Sequence, residues 1–168
     1  QMAIDSTGTP IRSYIWTENL ISRVNLGCAL DDYCYQVDAR FMTQATSFAH
    51  LNVSLIERGL YLELGGMDQI LRYEEDRDFY FRCLDRAIGI VFCCDIVSKH
   101  YVPDRSNRLN ASRRISARGK LFNQTLSQIK LLMVLKDRRL KRMQFDLFLS
   151  TIKKLLIRDP DCCPKGHL

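Results

Sequence analysis

Leu64-Gly65-Gly66-Met67-Asp68, a short spacer, then Tyr73-Glu74-Glu75-Asp76-Arg77-Asp78-Phe79 form the stretch on which the fold of this 168-residue chain turns. A glycine pair lets the backbone take left-handed angles cheaply, so a helix arriving from the N-terminal side ends there and the chain turns sharply. Four acids then crowd the start of a second helix, expected over about residues 74 to 87. Exposed backbone N–H groups and the helix dipole favour carboxylates at that position by roughly 0.3–1 kcal/mol each. Phe79, Cys83, Leu84 and Ala87 fall at helical spacing, and Gly89 lies just past the end. On local sequence alone these acids make an ordinary solvated helix start. Their crowding also suits one of them to a raised pKa, with Arg77, Arg82 and Arg86 close enough to tune it.

Upstream, Ser54-Leu55-Ile56-Glu57 matches a capping box that opens the first helix, and the alternation from Thr43 to Val53 predicts a strand feeding it. Asp5-Ser6-Thr7-Gly8-Thr9-Pro10 reads as a turn. Thr17 to Asn25 reads as a short helix ended by Gly27. Residues 28 to 42 show neither period, because Asp31-Asp32 interrupts them, and read as loop. Downstream, Ile90 to Ile96 is apolar and predicts a strand leading to His100. Asp104 to Lys120, rich in Arg, Ser and Asn, predicts a loop. Two amphipathic helices follow, one carrying Leu121, Leu126, Ile129, Leu132 and Met133, the other Leu140, Met143, Phe148, Ile152 and Leu155.

Composition fits a chain with a single core. The net charge of +6 conceals an asymmetry: residues 1 to 100 carry 9 Lys/Arg against 14 Asp/Glu, and residues 101 to 168 carry 16 against 5. The two parts therefore stand at −5 and +11, and the basic part needs its own explanation. No apolar run reaches the roughly 20 residues that span a bilayer, and the N-terminal residues lack a signal-peptide layout. The seven cysteines include the doublets Cys93-Cys94 and Cys162-Cys163 and no C-x-x-C pair, so reduced thiols in a cytoplasmic protein are expected.

The order of these features resembles the acceptor-side half of family 2 glycosyltransferases, inverting enzymes with a GT-A fold. The resemblance covers roughly residues 1 to 110 and is strongest over residues 60 to 100. It implies an α/β, partial GT-A-like domain over residues 1–115, with a basic helical extension over residues 116–168. By that resemblance Asp76 is the general base that takes the proton from an acceptor hydroxyl, and Gly65, Gly66, Glu75 and Asp78 position the acceptor. His100 would help ligand a divalent cation, Mn²⁺ or Mg²⁺. Arg105 and Ser106 would meet the donor diphosphate. The implied partners are a nucleotide-sugar donor, a sugar or lipid-linked acceptor, and an upstream nucleotide-binding half of the same polypeptide. The sequence departs from the family in lacking the first nucleotide-binding strands and the metal-binding D-x-D motif, for which Asp31-Asp32 is no substitute.

The basic helices support a second reading, a non-catalytic interaction module that binds a partner chain or an anionic membrane surface. Basic amphipathic helices lie on such surfaces, which would make the protein cytoplasmic and peripheral at the inner face of the membrane. Nucleic acid ranks last among the partners, since no recognised module is present and aromatic residues are sparse among the basic ones.

Overall fold

A computed structural model describes residues 2–4, 7–9, 27–30, 34–37, 54–93, 99–101 and 115–157. Four helices dominate them: α1 (Arg58–Glu63), α2 (Glu75–Arg86), α3 (Ala117–Val134) and α4 (Arg138–Ile157). The strands β1 (Met2–Ile4), β2 (Gly27–Ala29), β3 (Cys34–Val37), β4 (Val91–Cys93) and β5 (Lys99–Tyr101) are only three or four residues long. β1 and β5 pair in parallel, with Ala3 opposite His100. β2, β3 and β4 make a separate antiparallel sheet in that order.

This architecture corrects the expectation of a partial GT-A domain. A nucleotide-binding α/β core places its ligand at the carboxyl ends of adjoining parallel strands in one open sheet. Among the described residues the parallel pairing is confined to β1 and β5, and helices carry the mass. The two strands within residues 28 to 42 were not expected from the sequence, and each is too short for a period to show. The predicted helix at Thr17 to Asn25 and the strand at Thr43 to Val53 lie outside the described residues.

α1 begins three residues later than the capping box suggests. Glu57 precedes it, and the Glu57 side chain accepts from Gly59 N at 3.1 Å. Its end is as expected: Gly65 and Gly66 take φ of 72° and 70°. The positive φ favours glycine at Gly66, and a Cβ there would also press on Tyr61 Oη at 2.8 Å. α2 follows closely on the predicted range, and its buried residues include Phe79, Phe81, Cys83 and Leu84.

The helical hairpin of α3 and α4 starts at Ser116, whose Oγ accepts from Gly119 N at 3.0 Å in an N-cap. Phe81 and Leu84 of α2 form one core cluster with Leu131, Leu135 and Leu140 of the hairpin, and Ile90, Phe92 and Met143 pack around it. The core thus draws on both sides of residue 115. Among the described residues no helix is long and apolar enough to cross a membrane.

Candidate functional site

Of the residues singled out around the glycine turn, Gly66 and Asp78 are brought together, and their shared partner is Arg82. Its Nε donates to Asp78 Oδ2 at 2.9 Å, while its two terminal nitrogens donate to Leu64 O and Gly66 O at 2.8 Å each. The guanidinium also lies 5.3 Å from the centroid of the Phe79 ring, and that ring meets Tyr61 edge-on at 5.2 Å. Only a planar fork serves a carboxylate and two carbonyls at once. Asp78 is 2% exposed, and burial pushes its carboxyl above the ordinary value against the opposing pull of Arg82. Asp78 and the glycine carbonyl are therefore occupied in holding the end of α1 against α2.

Asp76 is half-buried and its Oδ1 accepts from Arg77 N at 2.7 Å. Glu75 sits beside it in the first turn of α2, also half-buried. Glu74 has φ of 71°, the one positive value among described non-glycine residues. Its side chain accepts from Gln124 Nε2 at 3.0 Å and pairs with Arg77 at 3.5 Å, contacts that hold this unfavourable backbone angle. His100 belongs to β5 by its backbone. Its side chain, and the whole of Arg105 and Ser106, lie outside the described residues.

A cavity of about 10 Å³, room for about one water, lies between Glu74, Arg77, Phe81, Gln124, Gln128 and Gln144. Asp76 does not line it. Among the described residues no group of three or more His, Cys, Asp or Glu is placed to hold a metal ion.

The segment between the two helix starts is strapped to α3 by polar contacts that sequence reading missed. Asn123 accepts from Arg72 N at 3.0 Å, Lys130 pairs with Asp68, and Lys120 lies 5.5 Å from the centroid of the Tyr73 ring. Asp85 of α2 accepts from the backbone N–H groups of Lys136 and Asp137 at 2.7–3.0 Å, which fixes the hairpin turn. Asp137 in turn accepts from Arg139 N at 2.8 Å and Leu140 N at 3.0 Å, closing the start of α4. Its partial burial pushes the carboxyl up, but the bonds from Leu140 and Arg139 outweigh that and hold it below the ordinary value.

The other distinctive surface is on the hairpin. Leu121, Gln128 and Leu131 on α3, Leu135 just past its end, and Leu140, Gln144 and Thr151 on α4 make the buried rows, with Gln128 Nε2 donating to Thr151 Oγ1 at 3.1 Å across them. A second row on α3, Phe122, Leu126, Ile129 and Met133, repeats at four, three and four residues. Phe145, Leu149, Ile152 and Leu156 do the same on α4. Leu126 and Ile152 are half-buried; the rest are exposed, with Phe122 at 64%, Met133 at 78% and Leu156 at 71%.

Phe122 and Ile129 on α3, and Phe145 and Ile152 on α4, each follow a buried residue by one position, a rotation of about 100°. In antiparallel helices that rotation carries both rows to the same side of the hairpin, away from α2. Arg118 extends the α3 row by one step, and Arg138 and Arg142 extend the α4 row. Over residues 117–157 ten Lys/Arg stand against two Asp. The sequence displayed both amphipathic helices but not which apolar residues faced inward: Ile129 and Met133 point out, and Leu131 and Leu135 fill the core.

These placements correct the reading of the chain as part of an inverting glycosyltransferase. Glu74 is engaged with α3 and Asp78, through Arg82, with the glycine turn, and the surrounding sheets are not those of a nucleotide-sugar enzyme. Comparison with protein-family models, curated proteins and solved structures returns no match to this chain.

Proposed function

We propose that the chain is a non-catalytic interaction module that docks on an anionic membrane surface through the outer side of the α3–α4 hairpin. The observation that carries this reading is the pair of exposed apolar rows sharing one side of the hairpin within a strongly basic segment. Apolar side chains enter the headgroup boundary while Lys and Arg meet anionic headgroups, each worth about 1 kcal/mol near the surface. Charge complementarity favours lipid over a neutral protein groove. The ten cations of residues 117–157 outnumber the three acids, Asp68, Asp137 and Asp146, with which Lys130, Arg139 and Arg142 pair.

Co-sedimentation of the full chain with vesicles tests it. Phosphatidylserine-containing vesicles should pull the protein down, phosphatidylcholine vesicles should not, and raising salt to roughly 0.5 M should release most of it, because screening then acts within a few ångströms. Failure to bind the anionic vesicles, or equal binding to both kinds, would overturn the lipid reading.

A further inference from the structure

β3 and β4 run antiparallel with Cys34 directly opposite Cys93. Both are thiols here, Cys93 exposed and Cys34 half-buried. In an antiparallel sheet a residue's N–H and C=O point toward the same neighbouring strand, and directly opposed residues alternate between hydrogen-bonded and non-hydrogen-bonded pairs. Leu30 N donates to Cys34 O at 2.8 Å, so the polar groups of Cys34 turn toward β2 and away from β4. Cys34 and Cys93 are therefore a non-hydrogen-bonded pair, the closer kind, with Cα atoms about 4.5 Å apart and side chains on one face. A disulfide needs Cα atoms about 4.4–6.8 Å apart, so the bridge fits this position without moving the strands. Cys83 offers a contrast: it is buried in α2, and burial pushes its thiol up to about 11.

The geometry points to Cys34 and Cys93 as a redox site that closes into a cross-strand disulfide on reaction with a small disulfide such as oxidised glutathione. The exposed Cys93, as thiolate, attacks one sulfur of the oxidant, giving a mixed disulfide and releasing the first small thiolate. The Cys34 thiolate then attacks the Cys93 sulfur, forms the Cys34–Cys93 bond and expels the second. The two protons lost by the cysteines end on the two released thiolates; the cysteines give up two electrons and the oxidant gains them. The bridge closes a loop of about 60 residues that contains α1 and α2, so it restrains the unfolded chain substantially.

The test is oxidation of the full chain with oxidised glutathione, alkylation of remaining thiols, digestion, and assignment of linked peptides by fragment-ion mass spectrometry. Fragment ions should place the link on Cys34 and Cys93, and the oxidised protein should unfold about 5 °C or more above the reduced one. Cys34→Ser and Cys93→Ser should each abolish the link and Cys94→Ser should leave it, with circular dichroism reporting whether each variant is folded. Fragment assignment in the unmodified chain decides the matter even where a variant misfolds. A link that uses other cysteines, or both thiols fully alkylated after oxidation, would overturn the proposal.

Discussion

Arg82 shows how one side chain can tie three parts of a chain together. The Asp78 carboxylate and two backbone carbonyls at the end of α1 are polar groups that would each cost free energy if left without a donor away from water. One guanidinium serves all three. Replacing Arg82 with Ala leaves Asp78 buried and uncompensated, which costs about 3–5 kcal/mol, and Arg82→Lys should recover little because an ammonium cannot span the same fork. Urea unfolding measures this; a loss under about 1 kcal/mol, within the range of an exposed pair, would show that the clamp is idle. The glycine pair and the acids of this cluster were legible in the sequence, as was the presence of nearby arginines. That Glu74 and Asp78 serve packing was not legible. A helix start held against a glycine turn uses the same residue types, in the same order, as the site the resemblance suggested.

At the scale of elements, the helices were readable, as was the apolar strand expected over residues 90 to 96, which contains β4, but β2 and β3 were not. α2, α3 and α4 carry enough turns for apolar spacing to show, whereas β2 and β3 have three and four residues and exist through pairing with each other and with β4. The turn between α3 and α4 rests on Asp85 and Asp137, and only the second is local. Asp85 reaches Lys136 from 51 residues away, a relation no short window reveals. Because the folded pKa of Asp137 lies below its ordinary value, its contribution to stability is present above pH 3.8 and is lost as pH falls through the folded value. Asp137→Ala should therefore cost about 1 kcal/mol at neutral pH, the usual worth of such a cap. That gap should close in strong acid, where the wild type loses the carboxylate bonds that the variant already lacks. Stability measured from pH 7 down to pH 2 checks it, and a gap that stays constant to the lowest pH would refute the assignment. Asp78 has the opposite sign: its raised pKa favours the folded state in acid and counts against it as pH rises through the folded value.

Among the described residues, α2 and the hairpin share a core behind a face that leaves two rows of large apolar side chains in water. Scattered exposed hydrophobics are ordinary, but aligned rows on two adjacent helices mark a surface that is covered in use. On the reading proposed above, burial in the headgroup boundary would offset that exposure, and the basic residues in line with the rows would supply attraction to anionic lipid. The most direct measurement is the partition coefficient of an Ile129→Ser, Leu149→Ser double variant on phosphatidylserine vesicles, against wild type. Both side chains are exposed, so the fold should survive the change. If each loses about 1 kcal/mol of partial burial, a fraction of the roughly 1.5–3 kcal/mol for a fully buried side chain, binding should fall about 30-fold with an unchanged circular dichroism spectrum. Wild-type affinity in the folded double variant would contradict docking through this face.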